Sequence, residues 1–242
     1  MMEGFILLLS FFTRIPVPYV EYTEEKYKKG IKYLPIIGLI IGIILFIFTF
    51  LEKFIHRPVL SLIIWIIYIW ITGAIHLDGF SDTIDGIFSN RDKEKMLEIM
   101  KDSRIGAFGV IGIIILLISN ITLTSYIDLK YILLVPILSR TLAIFSASIS
   151  DYARESGMGK IFMDNINKKE SSLALVFLGI ITVVLFGVNA ILPIVICILV
   201  SLYLTRYITK KIGGMTGDTI GFIIEITQII FLFSIYILRS WI

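Results

Sequence analysis

Seven stretches of this chain are too long and too apolar to pack inside a soluble core of this size. They run over residues 34–51, 59–77, 107–124, 131–149, 172–188, 191–208 and 222–238. A helix needs about 20 predominantly apolar residues to cross a bilayer. Only helices and closed barrels satisfy their backbone hydrogen bonds there. The runs are continuous rather than alternating, so the sequence predicts an all-α polytopic membrane bundle of about seven transmembrane helices. Composition agrees: 57% of the 242 residues are hydrophobic and 17% charged, against roughly 45–50% and 25% in soluble domains.

Residues 4–12 form a shorter apolar stretch closed by Arg14 and Pro16. No basic segment precedes it and no small-residue cleavage site follows, so it reads as an interfacial or re-entrant segment rather than a signal peptide. No linker, low-complexity tract or repeat divides the chain, and residues 1–242 read as one domain. The single cysteine, Cys197, lies in an apolar run, which excludes a disulfide framework.

Basic residues sort the loops into two sets. The segments before residue 34, at 78–106, at 150–171 and around 206–211 hold seventeen Lys and Arg, whereas the intervening loops and the C-terminal tail hold four. The positive-inside rule then places the basic set in the cytoplasm and the C-terminus outside. Every polar motif falls on the basic side.

The first motif is His76-Leu-Asp-Gly-Phe-Ser-Asp-Thr-Ile-Asp-Gly86. Asp78, Asp82 and Asp85 are spaced i, i+4 and i+7, which puts them on one face of a helix. Three crowded carboxylates need compensation, and a hard divalent cation supplies it. The second, Lys101–Gly109, combines Lys101, Asp102 and Arg104 with Gly106 and Gly109, a mixture suited to phosphate and metal together. The third, Lys210–Gly221, is glycine-dense around Gly214, Thr216, Gly217 and Asp218, and its backbone N–H groups are candidates to cradle phosphate. It lacks the residue order of a Walker loop. Glu225 lies seven residues past Asp218, inside the last span. Arg140 lies in the middle of the fourth, where a charge needs a carboxylate or phosphate partner. His76 stands beside the acidic face, suited to orient a carboxylate, touch phosphate or serve structure alone. These elements together are the kit for metal-assisted phosphoryl transfer. The extended basic or aromatic surface of a nucleic-acid reader is absent.

Four segments, Phe11–Pro18, His76–Gly86, Lys101–Gly109 and Gly214–Glu225, resemble the cobalamin synthase family, the adenosylcobinamide-GDP ribazoletransferases. The resemblance covers almost the whole chain. It departs from the family's pattern at Phe80, Ser81 and Phe222, and every carboxylate is retained. It implies a Mg²⁺-dependent membrane enzyme, with Mn²⁺ as an alternative ion. Such an enzyme joins adenosylcobinamide-GDP to α-ribazole or α-ribazole 5′-phosphate, releases GMP and yields adenosylcobalamin or its 5′-phosphate. Carried onto this chain, metal ligands are expected at Asp78, Asp82 and Asp85, with Asp102 and Asp218 as further candidates. Asp82 and Asp85 are the candidate catalytic carboxylates. Lys101, Arg104 and Arg140 are expected to neutralise phosphate, and Gly214, Thr216 and Gly217 to contact it. His76 and Glu225 complete the candidate set. A CDP-alcohol phosphotransferase, which also uses spaced aspartates at a membrane surface, and a membrane transporter remain competing readings. The expected partners are the two substrates and the lipid bilayer of the cell membrane, with no nucleic acid. The sequence specifies no oligomeric state.

Overall fold

The computed structural model describes residues 2–240. Among them there is no strand, only an isolated parallel bridge between Tyr152 and Met215, and the all-helical expectation holds. The chain opens with a helical hairpin, α1 (Met2–Phe12) and α2 (Glu24–Ile31). At 1.5 Å per residue α1 is about 16 Å long, too short to cross a bilayer. Thr23 caps α2 by accepting from the Lys26 N–H, and Glu24–Lys28 and Glu25–Lys29 pair one turn apart on its exposed side. Its other side buries Tyr27 and Ile31.

The bundle continues through α3 (Leu34–Thr49), α4 (Arg57–Thr72), α5 (Ile75–Phe88), α6 (Lys93–Ile99), α7 (Ala107–Tyr126) and α8 (Leu134–Ala147). It closes with α9 (Met158–Asp164), α10 (Lys168–Phe186), α11 (Ile191–Ile212) and α12 (Gly217–Leu238). Six of these helices, α3, α7, α8, α10, α11 and α12, are long and apolar enough to cross a membrane, three of them lengthened by a 3₁₀ turn.

The remaining predicted span, 59–77, is not one straight helix. α4 stops at Thr72, and α5 leaves it at 93°. The bend is made by two successive left-handed residues, Gly73 at φ 64° and Ala74 at φ 60°. Glycine tolerates that conformation; for Ala74 it costs about 1–2 kcal/mol. The turn carries α5 out of the line of the crossing and lays it against the first turns of α7 and α12.

α8 is the centre of the bundle, with 13 of its 14 residues buried. α3 approaches it through Gly38 and Gly42, four residues apart, whose missing Cβ atoms leave room for the backbone of Pro136 and Leu133. Small residues at that spacing are how helices come close where no water drives them together. α7 is peripheral: Ile111, Ile114, Ile115 and Ile118 are exposed along one side of it, an apolar surface suited to lipid.

Candidate active site

Four segments meet where α5 crosses the start of α12: the N-terminal hairpin, α5, the loop after α8, and the Gly213–Gly217 turn. Each is fixed by the backbone. The Arg14 N–H donates to Ile71 O at 2.7 Å, tying the N-terminal segment to the end of α4. The Ala153 N–H donates to Met215 O, and the Met215 N–H to Asp151 O, both at 2.8 Å, so the loop after α8 is strapped to the start of α12. α5 and α12 touch through Gly79, where an added Cβ would lie 2.8 Å from Asp218 O.

The three aspartates of α5 share a face, as their spacing predicts, but meet three environments. Asp78 is exposed, Asp82 is half-buried, and Asp85 is buried. Asp85 accepts the N–H of Gly106 at 2.7 Å and of Gly109 at 2.9 Å, one bond to each carboxylate oxygen. Gly106 and Gly109 are the N-cap and third residue of α7, so Asp85 caps that helix from another one and places its charge at the positive end of the dipole. A Cβ on either glycine would collide with this carboxylate. The missing side chains of Gly106 and Gly109 therefore make room for the Asp85 carboxylate.

Asp218, in the first turn of α12, pairs with Arg154, whose Nη2 lies 2.9 Å from Oδ2. Asp82 stands among the other acids. Burial raises its pKa to about 7, followed by the charges of Asp78, Asp218 and Asp85, while Arg154 opposes the shift. Arg154 thus brings the compensating charge, a role its position in a basic loop alone did not signal.

The other expected residues separate. Lys101 lines the cavities beside Asp78. Asp102 is bound by its neighbour Arg104, Nη2 to Oδ2 at 2.6 Å, on the surface, and this contact pulls its pKa down to about 2. Thr216 caps α12, accepting from the Thr219 N–H at 3.2 Å, and its own N–H is taken by Thr219 Oγ1 at 2.7 Å. Gly214 is packed against residues 151–153, so of the expected phosphate cradle only Gly217 lines the cavity. Arg140 is fully buried in α8 and away from the cavity lining. Its Nη1 donates to Tyr68 Oη at 3.2 Å and Ser139 Oγ at 3.0 Å. The Tyr68 hydroxyl donates to Glu225 Oε1 at 2.7 Å and accepts from Gln228 Nε2 at 2.6 Å. The Tyr68 hydroxyl therefore joins Arg140, Glu225 and Gln228 and ties α4, α8 and α12 together, while Arg140 Nε and Nη2, Glu225 Oε2 and Gln228 Oε1 have no hydrogen-bond partner. Gln228, a polar residue in an apolar run one turn past Glu225, was a readable signal of this network; Tyr68 was not.

Among the described residues three cavities border the acidic face, and two of them also reach Lys101 and the groups around Asp82 and Asp218. One, of about 360 Å³, includes Asp78, Arg154, Asp218 and Gly217 with Phe11, Phe12 and Phe162. The other, of about 520 Å³, includes Asp78, Asp82, Lys101 and Asp102. Asp78 and Lys101 belong to both. Among the described residues no three His, Cys, Asp or Glu side chains converge closely enough to hold a metal ion unaided.

The family model described as cobalamin-5-phosphate synthase matches residues 4–236, and it therefore takes in every residue of this site. The chain belongs to that family. It is 49% identical over 240 residues to the adenosylcobinamide-GDP ribazoletransferase of Alkaliphilus oremlandii, covering 99% of each chain. It is 38% identical to the Fusobacterium nucleatum protein of the same name, again over 99% of each chain. The Clostridium acetobutylicum protein of that name is 40% identical, over 96% of this chain and 94% of its own. No solved structure matches. Phe80 and Phe222 stack on each other with centroids 5.4 Å apart and rings 16° from parallel, so these two side chains fill one shared space between α5 and α12.

Proposed function

We propose that the protein is an adenosylcobinamide-GDP ribazoletransferase. It joins adenosylcobinamide-GDP to α-ribazole or its 5′-phosphate and releases GMP, the step that assembles the nucleotide loop of cobalamin. The observation that carries the reading is the placement of Asp78 and Lys101 on the wall between two cavities, with Asp82, Asp218 and Arg154 around them. Groups on such a shared wall can reach a substrate in either cavity.

The carboxylates fit Mg²⁺, with Mn²⁺ as the alternative. The crowding that raises Asp82 is what a dication relieves, and Mg²⁺ commonly takes one or two carboxylates and completes its shell with water and substrate phosphates. Asp78 and Asp82 would hold the ion, with Asp218 next to them. Asp85 already accepts one backbone N–H on each oxygen, which leaves it fewer free lone pairs for an ion than Asp78 or Asp82. When bound, the ion offsets the charge that develops on the departing phosphate.

The chain's own groups do the rest. Lys101 and Arg154 bring positive charge to the pyrophosphate from either side of Asp78. Arg154 is held by Asp218 and so is oriented before substrate arrives. Asp85 fixes the start of α7, and with it the depth of α5. The 3′-hydroxyl of the ribazole attacks the cobinamide-linked phosphorus and gives its proton to a carboxylate of the acidic face, the P–O bond to the second phosphate breaks, and GMP departs with that phosphate. The seventeen-to-four bias of Lys and Arg supports a site on the cytoplasmic face of the cell membrane.

The deciding experiment uses purified protein in detergent with adenosylcobinamide-GDP, α-ribazole and Mg²⁺. GMP and a cobalamin product are expected in equal amounts. CMP release from CDP-diacylglycerol, or substrate uptake into vesicles with no GMP formed, would overturn the reading.

A further inference from the structure

The smaller cavity has a composition that the transfer chemistry alone does not require. Phe11, Phe12, Tyr27 and Phe162 give it an aromatic wall, while Asp78 and Arg154 give it an ionic one. Phe12 is the centre of the aromatic part. It stacks on His76 at 5.6 Å and 27°, and meets Phe162 at 6.5 Å. His76 is 5% exposed, and its Nε2 has no hydrogen-bond partner. A buried polar atom left without a partner costs free energy, unless a ligand supplies the partner.

We propose that this cavity receives the base and ribose of α-ribazole, the ring lying among Phe11, Phe12 and Phe162 and its free imine nitrogen accepting from His76 Nε2. The assignment rests on the function proposed above. Size supports it: a nucleoside of about twenty non-hydrogen atoms suits a 360 Å³ pocket, and a corrinoid carrying a nucleotide does not. Polarity supports it as well. A dimethylbenzimidazole is apolar except for one acceptor nitrogen, and beside the aromatic rings the wall offers one unmatched nitrogen, His76 Nε2, which donates in its Nε2–H tautomer; the other two nitrogens of the lining without a hydrogen bond, Arg154 Nε and Nη2, lie on the ionic side beside Asp218. Guanine, the other base in the reaction, brings donors at N1 and N2 and acceptors at O6 and N7, more polar groups than an aromatic wall with one unmatched donor can match. Of the two carboxylates in this lining, Asp218 is paired with Arg154, and Asp78 is exposed. The larger cavity, on the other side of Asp78, is left for the pyrophosphate of the donor.

The test measures KM for each substrate in wild type and two variants, together with equilibrium binding of α-ribazole to the full-length protein in detergent. Phe12→Leu keeps apolar volume and removes the ring; His76→Gln keeps a donor of different reach. Phe12→Leu is expected to raise KM and Kd for α-ribazole about tenfold, the loss of one ring-on-ring contact, with KM for adenosylcobinamide-GDP within twofold of wild type. GMP is expected not to displace α-ribazole from the wild type. A rise confined to the KM of adenosylcobinamide-GDP, or competitive displacement of α-ribazole by GMP, overturns the assignment while leaving the reaction intact. Should Phe12→Leu fail to fold, an unchanged α-ribazole Kd in His76→Gln overturns it equally. Wild-type protein that binds α-ribazole in a Phe12-dependent way but forms no product keeps the cavity and overturns the reaction.

Discussion

Asp85 is the residue on which sequence and structure make different predictions, because its spacing groups it with the metal ligands and its contacts make it a helix cap. Asp85→Asn separates the two. The variant retains one oxygen and turns the other into an amide NH₂ facing a backbone N–H. One of the two bonds, to Gly106 or Gly109, is therefore lost, and a buried donor is left unsatisfied. A hydrogen bond to a charged group contributes about 1.5–3 kcal/mol, and an orphaned buried donor costs a similar amount, so a loss of about 2–4 kcal/mol is expected. For a chain of this length that lowers the melting temperature by about 5–15 °C. Scanning fluorimetry in detergent reads the shift, and hydrogen exchange should rise at the amides of Gly106 and Gly109. Gly106→Ala, whose Cβ would strike the same carboxylate, should reproduce both effects. If Asp85→Asn abolished product formation with melting temperature and exchange unchanged, Asp85 would be acting on substrate or metal, and the capping argument would fall.

Three further outcomes follow from the site. Asp82, raised to about 7 in the metal-free protein, binds a proton below that pH, so Mg²⁺ must displace it; half-saturating Mg²⁺ should rise about tenfold per pH unit below 7 and level off above 8. A requirement that is flat with pH would remove Asp82 from the ion. Asp82→Asn should abolish product formation yet raise the melting temperature of chelator-treated protein at pH 8, since it removes a charge that folding crowds. Arg154→Ala should lower kcat/KM about 10–100-fold in the GMP-release assay, with partial recovery in Arg154→Lys, because a point charge replaces a planar fork. Tyr68→Phe should cost about 2–4 kcal/mol, since it leaves Arg140, Glu225 and Gln228 each short of a partner in the bundle interior. An unchanged melting temperature would mean those groups repartner among themselves.

The sequence by itself determined the class of the molecule. Long continuous apolar runs permit little besides membrane helices, and the period of an α-helix is enough to put Asp78, Asp82 and Asp85 on one side of α5. The motif order carried the family. What only the tertiary structure decided is how those side chains are used, because that depends on contacts between residues far apart in the chain. The 93° turn at Gly73–Ala74 was hidden inside an apolar run, since two left-handed residues leave no hydropathy signal. Asp85 and Gly106 are 21 residues apart, and only packing of α5 on α7 makes Asp85 the cap of that helix. Arg140 looked like a phosphate binder for lack of a visible partner. Its partners come from α4 and α12 through Tyr68, and burial removes it from the lining of the site. Arg154 became part of the site because two backbone bonds strap its loop to α12 and set its charge beside Asp218.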